Sequence, residues 1–350
     1  MTLRRFALVL ILLLVAWGLR TLWLAGAFLT LEPHFEGSCV TVAGVAGPED
    51  LTIHPERPVA YVSSYDRAAV ARGAPGGGAL YAYGLDREPG PLVNLTPRAD
   101  PDFRPHGLSL WRGEDGRERL FVIDHAGGKH AVSIYAVKGE TLEWLSTVRH
   151  PLMSSPNDVV AVGPDRFYAT NDHRYRDGIG RTLEDWLRLP LANVVYWDGA
   201  QMVEAADGIA FANGINASAD GGTVYVASVF RREVRAYDRD PETGSLDLRE
   251  RIFLGSPPDN VEVDEEGALW IGAHPKLLQL RAHIAGEERY APSQILRARH
   301  QDGAWQIDEI YLDTGEAISA ASVGAARNRR LLIGAIHGTR FLDCQLPHPP

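Results

Sequence analysis

Cysteine is nearly missing from this chain: two of 350 residues, Cys39 and Cys344. That excludes a metal cage of clustered thiolates. Positive charge is also short, with 35 Lys and Arg against 45 Asp and Glu, a formal net charge of −10. A nucleic-acid partner, which needs a basic surface, is therefore not expected. Long apolar runs are confined to the N-terminus, which excludes a multi-pass membrane protein. What is abundant is turn-forming residue, 35 Gly and 22 Pro, in a chain that is 45 % hydrophobic and 23 % charged. Such a chain folds around a substantial core. Its length suggests two domains unless repeated units absorb it.

Residues 6–31 carry one charge, Arg20, and follow Arg4 and Arg5. The run is long enough to span a bilayer of ~30 Å at ~1.5 Å per residue. Basic residues ahead of it keep the N-terminus in the cytoplasm and send the rest across. Ala25-Gly26-Ala27 also fits a cleavage site. Residues 1–34 thus read as a signal-anchor or a cleaved signal, and 35–350 as an extracytoplasmic domain, membrane-anchored in the first case. In an oxidising compartment Cys39 and Cys344 are either a disulfide joining the first and last strands or two free thiols.

The body of the chain repeats itself. A polar residue opens an apolar-x-apolar strand at Glu49-Asp50-Leu51, His106-Gly107-Leu108, Asn157-Asp158-Val159, Asn213-Gly214-Ile215 and Asp259-Asn260-Val261. A weaker sixth copy is Ala321-Ser322-Val323. A second strand follows each, as in VAYVSSY (59–65) or TVYVASVF (223–230), after a turn rich in Pro, Gly and Asp. The Gly-rich stretch 73–78 is a loop inside the first unit. Six units of three or four short strands predict an all-β, six-bladed β-propeller preceded by an N-terminal apolar helix. Propellers close into a ring, and a bridge between Cys39 and Cys344 would clasp it.

In a propeller the first strands line the central channel, so Glu49, His106, Asn157, Asn213 and Asp259 meet at one mouth, each with its successor. Converging carboxylates and carboxamides are hard oxygen ligands suited to Ca²⁺. Asn-Asp and Asn-Gly are ordinary turn residues singly, but five in register point to a cation site. His106, His125, His173 and His274 fall at the ends of first or second strands, where a histidine near a cation is a candidate general base.

The strings PHGLSLW (105–111), SPNDVVAVGPDRFYATNDH (155–173), FANGINASADGGTVYVA (211–227) and DNVEVDEEGALWIGAHP (259–275), with the pair 49–50, resemble the paraoxonase/arylesterase family from about Cys39 to Cys344. The resemblance implies two Ca²⁺ ions per chain. Glu49, Asn157, Asn213, Asp259 and Asn260 would hold the catalytic one; Asp50, Asp158 and the main-chain carbonyl of Leu108 would hold the structural one. It implies a His106–His125 dyad, a substrate pocket with His173, His274 and Phe211, the Cys39–Cys344 disulfide, and an uncleaved apolar N-terminus. This chain departs from the family in carrying Ala273 where a Gly-Cys-His-Pro string has cysteine, and its segment 181–195, which fits the family's lid helix with Leu183, Trp186, Leu187, Leu189 and Leu191 as an apolar edge, is divergent.

The function implied is calcium-dependent hydrolysis of lactones and aryl esters, with paraoxonase chemistry as a side activity. Ca²⁺ would polarise the carbonyl, and the His dyad or a calcium-shell carboxylate such as Asp259 would activate water. Covalent catalysis is disfavoured, since no Gly-x-Ser-x-Gly string occurs. The alternatives are a gluconolactonase- or strictosidine-synthase-like propeller, or a propeller that only binds a partner. The expected partners are a small lactone or ester and, through the N-terminal segment, a membrane.

Overall fold

Alternating β-branched and aromatic residues build short strands, and a computed structural model arranges twenty-four of them among the described residues, 3–74 and 77–347. Residues 75 and 76, inside the expected Gly-rich loop, lie outside that range. The strands form six four-stranded antiparallel sheets: 50–94, 105–148, 156–209, 212–253, 258–313, and 321–345 joined by Ser38–Ala43. The innermost strand of each sheet contacts those of its two neighbours, closing the ring of a six-bladed propeller.

The helix expected at the N-terminus is present as α1 (Leu3–Leu24), whose window Ala7–Leu24 has a mean hydropathy of 2.2. Three shorter helices follow: α2 (Arg67–Ala71), α3 (Gly178–Leu187) and α4 (Leu277–Ile284). The lid segment expected at 181–195 is therefore helical only to Leu187. Pro190 interrupts it, and the strand Ala192–Trp197 begins soon after.

Second strands such as Phe167–Asn171 and Leu269–Ala273 are buried at every residue, and apolar layers form between neighbouring blades. In one such layer Tyr225, Val234 and Ile252 pack on Leu269, Ile271 and Leu296 of the next blade. Outer strands such as Thr141–Val148 are largely exposed.

The ring is closed by its first strand. Ser38–Ala43 pairs antiparallel with Arg340–Gln345, and Cys39 lies opposite Cys344 in register. The two form the disulfide, spanning 305 residues. Beside it, buried Asp343 accepts from Tyr83 of the first blade at 2.5 Å and is paired with Arg330, which also reaches the Leu85 carbonyl at 3.0 Å.

Candidate active site at the channel mouth

Five of the six innermost strands break register near their start: between Pro105 and Leu108, Pro156 and Val159, Ala212 and Ile215, Pro258 and Val261, and Ala321 and Val323. Each bulge frees one or two residues from the ladder, and those residues are the polar ones read from the repeat. The bulges require small residues where blades approach. A Cβ on Gly107 would meet Asp158 Oδ1 at 2.2 Å, and one on Gly214 would meet the Asn260 Cα at 2.5 Å.

At the mouth, Glu49, Asn157, Asn213, Asp259 and Asn260 come together, all buried. Asn260 Nδ2 donates to Glu49 Oε1 at 3.0 Å, and His274 Nε2 lies 2.7 Å from Asp259 Oδ2. Glu49 Oε2 and the Oδ1 atoms of Asn157, Asn213 and Asn260 accept no hydrogen bond. Unsatisfied buried oxygens cost about 1–3 kcal/mol each; the three carboxamide oxygens, gathered with the Glu49 carboxylate, form a ready acceptor set for a cation. Burial opposes the charge on Glu49, yet His106 and Arg67 hold its carboxyl down at about 2. Burial raises the Asp259 carboxyl against the pull of His274. Among the described residues no three of His, Cys, Asp and Glu close on one point; the converging set is mixed, with three carboxamides.

Asp50 and Asp158 form a second group. Asp50 accepts from the Leu51 N–H at 2.9 Å and the Leu108 N–H of the next blade at 2.7 Å. Asp158 accepts from the Val159 N–H at 2.7 Å and the Ile215 N–H of the next blade at 2.8 Å. Burial pushes both carboxyls well above the usual range, and the Glu49 charge adds to it. Further along the same strands, Thr52 and Asn216 hydrogen-bond Glu262, which burial raises to about 8.

His106 Nδ1 lies 2.9 Å from His125 Nε2, so the expected dyad is in contact. His106 Nε2 is 3.3 Å from Glu49 Oε2. A third ring extends the pair: His125 Nδ1 lies 2.8 Å from His130 Nδ1. Burial, then His106 and His130, holds the His125 ring well below its ordinary value. His173 sits behind Phe211, ring centroids 4.5 Å apart, with Nε2 2.7 Å from Asp185 of α3. Phe211 adopts φ 63, a strained conformation for a bulky residue.

Above this floor lies a cavity of about 450 Å³ lined by Glu49, His106, Asn157, Asn213, Asp259 and His274 below. Phe211, Trp186 of α3, Leu277 of α4, and Thr21 and Ala25 at the end of α1 wall it higher up. The sequence reading missed three contributors. Ser322, in register in the sixth blade, donates to the Glu49 carbonyl. Arg67, on α2, lies 3.6 Å from Glu49 Oε2. His130 stands across a turn from His125. The register of Ser322 was visible; the folding-back of Arg67 and His130 carried no periodic signal.

Convergent polar groups beneath an apolar roof, at the axis of a closed propeller, define a small-molecule enzyme site. A family model described as Arylesterase matches residues 92–346. Serum paraoxonase/arylesterase 2 of Rattus norvegicus is 35 % identical over 249 residues, covering 70 % of this chain and 69 % of its own. Serum paraoxonase/arylesterase 1 of Homo sapiens is 30 % identical over 327 residues, covering 90 % and 91 %. Among solved structures, a luciferin-regenerating enzyme superposes with a TM-score of 0.54 at 15 % identity, covering 88 % of this chain and 95 % of its own, a likeness of fold. The chain belongs to the arylesterase family and is a carboxylic-ester hydrolase.

Proposed function

We propose that this protein is a calcium-dependent hydrolase of lactones and aryl esters, with paraoxonase chemistry as a side activity, acting at the channel mouth. The observation that carries the proposal is the set of three unpartnered buried carboxamide oxygens, on Asn157, Asn213 and Asn260, drawn from three blades and gathered with the Glu49 carboxylate. With Glu49 and Asp259 they would hold one Ca²⁺, and, as the family resemblance implies, Asp50, Asp158 and the Leu108 carbonyl would hold a second, two per chain. Bound at the mouth, calcium supplies Lewis-acid polarisation of the ester carbonyl and charge to stabilise the oxyanion.

The chain's own residues do the rest. Phe211, Trp186 and Leu277 offer an apolar wall to an aryl or acyl group and keep bulk water from it. His106 Nε2, at the cavity floor, takes the proton of the attacking water, and His125 orients the ring through Nδ1. His274 holds the Asp259 carboxylate in place. Residues 1–34 anchor the 35–350 hydrolase domain on the extracytoplasmic side through α1, in keeping with a disulfide.

Phenyl acetate and γ-lactone turnover, measured with EDTA and after calcium is restored, tests the reading. Activity should vanish and return with calcium; full activity in EDTA refutes it. His106→Gln and His125→Gln should lower kcat by about 10²–10⁴-fold. Unchanged turnover in both variants would move the base role to Asp259.

A further inference from the structure

Four arginines meet where α1 reaches the propeller. Arg20 lies near the C-terminal end of α1, Arg188 follows α3 with φ 52, and Arg231 and Arg232 lie at the short turn Val229–Arg231. Together with Trp17, Trp23, Trp186 and Phe253 they line a recess of about 280 Å³. Arg188 donates to the Thr21 carbonyl at 3.1 Å. Arg232 has its Nε buried without a partner, and its guanidinium lies 5.7 Å from the Trp23 ring centre and 6.0 Å from that of Phe253. Among the described residues none of the four is ion-paired with a carboxylate, although the chain has ten more acidic than basic residues. Burial and the repulsion of the other three push the Arg188 guanidinium down. This concentration of charge lacks a counter-ion among the described residues.

The surroundings say what kind of counter-ion fits. The recess adjoins the end of the apolar window Ala7–Leu24, and Trp23 and Phe253 are 62 % and 65 % exposed beside it. Exposed tryptophans next to basic side chains mark the level of lipid headgroups. Arg20, the one charge in that window, reaches this level at the helix end. We propose that the recess binds the phosphate headgroup of an anionic phospholipid whose acyl chains lie along α1. The inference rests on α1 being inserted in a bilayer. The recess shares Thr21, Trp186, Arg188 and Phe230 with the catalytic cavity, so the bound headgroup braces the cavity roof.

The test uses the full chain in neutral detergent, titrated with short-chain phosphatidylglycerol, phosphatidylcholine of equal chain length, or inorganic phosphate. Quenching of tryptophan fluorescence by brominated acyl chains reads binding. Phosphatidylglycerol should half-saturate at a concentration at least ~5-fold below phosphatidylcholine, the effect of one interfacial arginine. Phosphate alone should not compete. Arg231→Gln combined with Arg232→Gln should abolish the preference while phenyl acetate turnover in lipid-free detergent stays within about two-fold; if that variant does not fold, Arg20→Gln carries the same test. Equal binding of the two lipids, or a preference kept by the folded variant, overturns the proposal, and phosphate that competes makes this a free-anion site instead. Alkaline carbonate extraction of membranes reports α1 insertion separately. Insertion without lipid preference sinks only the headgroup site, and preference without insertion sinks only the anchor.

Discussion

Gly107 and Gly214 let the polar residues reach the axis. Each lies where the next blade crosses closely, so that even a methyl group collides with backbone or with Asp158. Gly107→Ala should destabilise the fold by about 1–3 kcal/mol, read by chemical denaturation, and lower esterase turnover with it. An unchanged midpoint would show that the bulge adapts. At this scale much of the candidate site was legible: the polar openings of five blades stood in one register, and repeat geometry alone brought them together. What could not be read was the reason for glycine beside them, because a close approach between blades leaves no pattern along either strand. Arg67 and His130 escaped for a similar reason, standing on irregular segments whose course only tertiary packing determines.

The elements over the cavity are held by side chains rather than by ladders. α3 is fastened through His173, whose ring is half enclosed by Asp172 and Asp185. Burial works against its charge, but the two carboxylates outweigh it and raise the ring above its ordinary value, while Asp185 is held below the carboxylate range. The sign follows. The histidine's contribution is complete below its unfolded value of about 6.5 and is lost as pH rises through the raised folded value. The Asp185 contribution is lost as pH falls through its depressed value. Amide-exchange protection of residues 178–187 should therefore fall as pH rises above about 6.5, and His173→Gln should remove that dependence; equal pH dependence in the variant rules the pair out. The sequence placed this helix too far along, since Leu189 and Leu191 continue its apolar edge past a proline. α4 was not read at all, its eight residues offering too short a pattern beside the Ala273-His274-Pro275 string.

The ring was legible as a whole because six units repeat and two cysteines bracket them. Its closure is reinforced where Asp343, Arg330 and Tyr83 tie the sixth blade to the first. Replacing both Cys39 and Cys344 by Ser should lower stability by about 2–5 kcal/mol. Arg330→Ala, which strands the buried Asp343 charge, should cost about 3–5 kcal/mol. Both are read from denaturant midpoints in the presence of calcium, and a midpoint shift within error in either variant would show that closure does not depend on that tie. The strand Ser38–Ala43 also sets a schedule. It leaves the ribosome among the first segments of the domain, yet its partner, Arg340–Gln345, is among the last. At about 5–20 residues per second, the 300 or so residues between them take roughly 15–60 s to make. For all that time the first strand is an unpaired edge just beyond the end of α1, and the sixth blade is completed only once Arg340–Gln345 has been made.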